Sequence, residues 1–78
     1  MNEKHEGLPV HGYKPQSHEN VALVNGNKRL EEETLRTLDH LATLPGVDKR
    51  WLAIGRTHLE QAWMAINRAI FKPDRVEL

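Results

Sequence analysis

The 78-residue chain carries 11 Lys plus Arg, 11 Asp plus Glu, five His and no Cys, for a formal net charge of zero. A chain this short makes one thin domain whose core supplies only about 3–5 kcal/mol, and without cysteine neither a disulfide nor a thiolate metal site can reinforce it. Zero net charge argues against binding a nucleic-acid polymer or a membrane through a global field, while a local cationic spot can still hold a small anion.

Residues 1–16 are polar and broken by Gly7, Pro9, Gly12 and Pro15, which predicts an extended arm ordered only by what it packs against. Met1–Gly7 lacks the apolar segment of a secretory leader, and no apolar run reaches membrane-span length; the expectation is a cytoplasmic chain. The arm holds the only tyrosine, Tyr13. Ser17 then reads as an N-cap, with Glu19 in the first turn to complement the helix dipole.

A first helix is predicted over about 18–44, because Val21, Val24, Leu30, Leu35, Leu38, Leu41 and Leu44 recur mostly three residues apart, with steps of six and five on either side of Leu30. Asn25-Gly26 interrupts it with a strong hairpin signal. Both flanks are helical in period, so the helix is expected to run through, at a cost of about 1 kcal/mol for glycine relative to alanine. Leu44-Pro45-Gly46-Val47 ends the helix, and Asp48 caps a second one predicted over about 49–72, which Pro73 stops. Residues 74–78 form a short tail, so 17–73 is a helical hairpin domain.

The second helix is apolar on more than one stripe: Trp51, Leu52, Ile54, Leu59, Trp63, Met64, Ile66, Ile70 and Phe71. Gly55, Ala62, Ala65 and Ala69 lie among them and permit close approach of another helix. One polar partner helix cannot cover two apolar faces. The fold class is therefore all-α, an antiparallel helical hairpin with an extended N-terminal arm, assembling into a compact homo-oligomer. The surplus apolar surface, with both tryptophans, is assigned to the interface.

The chain offers little chemistry. The five histidines form no i, i+4 pair on one helical face and no HExxH pattern, which argues against a metal site. The sole serine is better used as a helix cap than as a nucleophile, and Glu31, Glu32 and Glu33 point in different directions around a helix. The expectation is a protein that is no enzyme and needs no cofactor. Binding a small anion with planar groups requires less, one aromatic face and one or two cations. Tyr13, Lys28, Arg29, Arg56 and Arg68 are available for it. Each also has a plain role, as a packing tyrosine, a solvated helix face or an ion pair with a neighbouring subunit.

The succession HGYKPQS, NVALVNGNK and VDKRWLAIGRTHLEQAWMAINRAIFKP, over about residues 10–73, resembles the phage anti-CBASS cyclic-nucleotide sponges, which share a small hairpin domain with the Thoeris anti-defence sponges. Its most specific part is DKRWLAIGRTHLEQAWMAINRAI, where the family shows D-x-R-W, A-I-x-[RK]-T and R-A-I. The resemblance implies a homo-oligomer, a hexamer in the family, acting in the cytoplasm of the infected bacterial host. Such a sponge sequesters cyclic dinucleotides such as cyclic GMP-AMP, and in some members cyclic trinucleotides, without degrading them. Carried over by motif position, Tyr13 would stack on a base, Lys28 would contact a phosphate, and Arg68 would serve a second, trinucleotide pocket. Gly26, as clearance beside Lys28, and Arg56 and Thr57, in the A-I-x-[RK]-T element, complete the candidate ligand-binding set. Two alternatives remain: a sponge for the cyclic ADP-ribose isomers of Thoeris, and a structural or protein-interaction hairpin.

Overall fold

In the computed structural model, the described residues are 14–78 and the backbone of 4–5. The element order is β1 (Lys4–His5), β2 (Gln16–Ser17), α1 (His18–Leu41) and α2 (Lys49–Phe71). The two helices pack as a hairpin. β1 and β2 pair antiparallel, with Lys4 opposite Ser17 and His5 opposite Gln16. This two-residue pairing just before α1 has no signature in the polar sequence around it.

Side-chain capping sets where each helix starts. Ser17, in extended conformation, accepts a hydrogen bond through Oγ from the Asn20 N–H at 3.1 Å. Asp48 does the same for α2, its Oδ1 accepting from the Trp51 N–H at 3.1 Å. Each cap satisfies one of the donors a helix N-terminus leaves without an intrahelical partner.

The first helix ends at Leu41, three residues short of the expected boundary. After the α-type bond from the Ala42 N–H to Leu38 O, the chain tightens into i→i−3 turns, Thr43 to His40 O at 3.0 Å and Leu44 to Leu41 O at 3.1 Å. Pro45 disfavours helical backbone at Leu44, and the last turn unwinds ahead of it. Two carbonyls there accept a second bond from a side chain: Thr43 Oγ1 donates to His40 O, and Lys49 Nζ to Leu44 O, which also accepts from the Val47 N–H. At the far end Lys72 adopts the left-handed conformation (φ 47°) and its N–H donates to Arg68 O at 2.7 Å. Pro73 follows and cannot continue the helix.

The core is a single seam between the helices. Val24, 4% exposed, is the one fully buried hydrophobic residue among those described. Around it lie half-buried Val21, Asn27, Glu31, Leu35 and Leu38 on α1, and Leu52, Leu59, Trp63, Asn67 and Ile70 on α2. Leu30, expected in this stripe, is instead 51% exposed. The stripe runs through 24, 27, 31, 35 and 38, and at 100° per residue position 30 turns away from it. Leu44 lies beyond the end of α1 and is exposed.

A second apolar surface stays open. Trp51 is 63% exposed, and Gly55, Ala62, Ala65, Ile66 and Ala69 are exposed along the same helix. Trp63 departs from the expectation that both tryptophans belong to this surface. It is half-buried, in register with Leu59, Asn67 and Ile70 on the seam, so only Trp51 contributes to the open face. No described helix is long and apolar enough to cross a membrane.

Candidate ligand-binding groove

The antiparallel turn brings the first turns of α1 beside the last turns of α2. A cavity of about 530 Å³ opens there, lined by Val24 and Lys28 of α1, by Gln61, Met64, Ala65, Asn67, Arg68 and Phe71 of α2, and by Pro73. Val24, Met64, Ala65, Phe71 and Pro73 make an apolar bed, and Lys28 and Arg68 supply two positive charges. Their carbon stems can lie along apolar surface while the charged heads stay wet. An apolar bed with a few convergent polar groups is the usual make-up of a small-molecule site. Two cations suit it to an anion with a flat, apolar body.

Two hydrogen-bonded clasps fix the walls. Asn27 Nδ2 donates to Asn67 Oδ1 at 3.0 Å, tying α1 to α2 one residue from Lys28 and one residue from Arg68. At the groove's end, Gln16 Nε2 donates to Phe71 O at 2.9 Å and to Lys14 O at 3.2 Å, while its Oε1 accepts from Asn20 Nδ2 at 3.2 Å. Lys14 pairs with Asp74 at 3.2 Å just beyond Pro73. The segment entering α1 is thereby bound to the end of α2 that lines the groove.

The candidate residues are distributed unevenly. Lys28 and Arg68, which the resemblance sends to separate pockets, line the same groove of one chain. Tyr13 lies outside the described residues. Gly26 is exposed on α1 and does not line the groove; a Cβ added there meets no atom within 4 Å. Arg56 is occupied elsewhere, its Nη2 donating to Asp39 Oδ1 toward the loop end of the hairpin. Thr57 back-bonds its Oγ1 to Ala53 O at 3.2 Å. Arg56 stands twelve residues, about 18 Å of helix, from Arg68 and does not share its groove.

The amides of Gln16, Asn27, Gln61 and Asn67 did not stand out in the sequence, although two had a readable signal. Asn27 lies on the α1 stripe of Val24, Leu35 and Leu38, which Glu31 shares, and Asn67 interrupts the apolar run of Leu59, Trp63 and Ile70 on α2; a polar residue at such a position commonly sets the register of packed helices. Among the described residues no group of three His, Asp or Glu side chains could hold a metal ion.

The Acb2/Tad1 hairpin domain matches residues 6–71 of the 78. The chain belongs to the Acb2/Tad1 hairpin-domain family. This is the family of anti-CBASS and anti-Thoeris sponges, whose expected role is binding rather than catalysis. The match spans the end of the N-terminal segment, both helices and every residue of the groove except Pro73. No curated protein and no solved structure matches the chain.

Proposed function

We propose that this Acb2/Tad1 hairpin protein is a phage immune-evasion sponge that binds cyclic oligonucleotide signals and holds them intact, so that CBASS effectors are not activated. Membership of the family over residues 6–71 carries the reading. A groove with two cations over an apolar bed is consistent with it, since a cyclic dinucleotide offers two phosphates and two flat bases. In this reading Lys28 contacts a phosphate and Tyr13 stacks on a base, a contact typically worth about 1–3 kcal/mol. Arg68 supplies the second charge, to the same ligand or to a cyclic trinucleotide.

Homo-oligomerisation, as a hexamer in the family, fits the open face of α2. Tyr13 lies four residues before the Ser17 cap, and Lys28 is about 16 Å into the helix beyond it. The arm of a neighbouring subunit can therefore be the one that meets a given Lys28. The second reading, a sponge for cyclic ADP-ribose isomers, draws on the joint anti-CBASS and anti-Thoeris character of the family.

Calorimetric titration tests the reading with cyclic GMP-AMP, a cyclic triadenylate and a cyclic ADP-ribose isomer, on the wild-type chain and on Tyr13→Ala and Lys28→Ala. Expected are binding of at least one cyclic oligonucleotide, weakening by tenfold or more in each variant, and recovery of the intact nucleotide after heat denaturation. Binding of the cyclic ADP-ribose isomer alone selects the second reading. A chain that binds none of the three is not a sponge for them, and breakdown of the nucleotide makes it an enzyme.

A further inference from the structure

The two cations of the groove account for the phosphates of a nucleotide and leave its bases without a contact from the groove itself. Among the described residues that line the groove, Phe71 alone is aromatic; Trp51 and Trp63 do not line it. Gln61, Met64, Arg68 and Phe71 follow one another at steps of three, four and three, so they share one face of α2, which Phe71 ends. Arg68 is the neighbour of Phe71 one turn back, with about 5–6 Å between the two Cβ atoms. A cation for a phosphate and a ring for a base therefore stand side by side on one helix turn.

The backbone of Phe71 is held from two directions. Gln16 Nε2 donates to Phe71 O at 2.9 Å and to Lys14 O at 3.2 Å. Both acceptors are backbone carbonyls, which cannot donate, so only this orientation of the Gln16 amide satisfies them. Directly after Phe71 the left-handed Lys72 closes the helix, its N–H bonded to Arg68 O at 2.7 Å. Phe71 is half-buried, anchored in the hairpin and still open to the groove.

We infer that Phe71 is a ligand-contacting residue, the platform on which the groove stacks a nucleobase while Lys28 and Arg68 hold the phosphates. An aliphatic side chain would serve a merely apolar wall equally well. The ring adds a π face, and stacking on it accepts any base, since every base has a π face of its own. With Tyr13 on one base and Phe71 on another, a cyclic dinucleotide finds an aromatic surface for each. The inference rests on the cyclic-oligonucleotide reading above.

The test compares wild type, Phe71→Leu and Phe71→Tyr on the full chain, by calorimetry with cyclic GMP-AMP and a cyclic triadenylate. Phe71→Leu keeps an apolar wall and loses the flat ring, so affinity for the ligand that wild type binds is expected to fall fivefold or more. Phe71→Tyr keeps the ring and is expected to lose less than fivefold. Should Phe71→Leu fail to fold by circular dichroism, Phe71→Trp serves instead. Ligand should then quench the indole introduced at position 71 beyond any emission change in wild type, whose tryptophans lie outside the groove. A fall of less than fivefold in folded Phe71→Leu, an equal fall in the Leu and Tyr variants, or no added quenching in Phe71→Trp overturns the platform and leaves the sponge reading in place. Binding of neither ligand by the wild type overturns both.

Discussion

Replacing Trp51 by alanine puts the proposed oligomer at risk. A tryptophan side chain carries up to about 250 Å² of surface, and at 63% exposure roughly 150 Å² of it is wet in the single chain. At about 25 cal/mol per Å², covering that surface in an interface contributes roughly 4 kcal/mol per subunit. The Arg50 guanidinium, 5.8 Å from the ring centroid, must be desolvated or displaced when that face is covered, which offsets part of the gain. A loss of about 2–3 kcal/mol per subunit is therefore the expected effect of Trp51→Ala. In a dilution series followed by light scattering, the variant should dissociate at concentrations roughly 30- to 150-fold higher than wild type. Trp63 remains as a reporter from the seam, so unchanged emission from it shows that the hairpin itself is intact. If the variant follows the wild-type mass profile, or both are monomers throughout, the open face of α2 is not an interface. An exposed tryptophan with no partner should change stability by no more than about 0.5 kcal/mol.

Other outcomes follow from the same structure. Gly26→Ala meets no atom within 4 Å and should raise the stability of the hairpin by about 1 kcal/mol in chemical denaturation. If Gly26 provides clearance, the same variant should bind nucleotide more weakly in calorimetry. Arg56→Ala should leave nucleotide affinity unchanged, because its guanidinium serves Asp39; a double-mutant cycle with Asp39→Ala should return at most about 1 kcal/mol, less at high salt. Gln16→Ala removes the bonds to Phe71 O and Asn20 and should cost about 1–2 kcal/mol in thermal denaturation. Lys72→Gly relieves a left-handed conformation that only glycine adopts freely, and should gain about 0.5–1 kcal/mol in the same assay.

The elements were legible in the sequence because their signals are local. Ser17 and Asp48 cap helices through the third residue ahead, and Pro73 closes the second helix on its own. The spacing of Val24, Leu35 and Leu38, close to whole turns apart, specifies a helical face, and the family match runs continuously through both helices. The end of α1 was less legible: Pro45 marks a boundary, but how far the helix unwinds before it depends on the tighter backbone bonds to His40 O and Leu41 O and on the side-chain bonds from Thr43 and Lys49 that reinforce the turn.

Only the tertiary structure decided which residues meet. Asn27 and Asn67 are 40 positions apart, Gln16 and Phe71 are 55, and no periodicity within one helix sets the register between two. That register brings Lys28 and Arg68 into one groove, turns Leu30 outward, and gives Arg56 to Asp39 instead. Three cations that look alike in the sequence thus acquire different roles. A side chain's charge is written in its own codon, whereas its partner is chosen by packing that residues far along the chain complete.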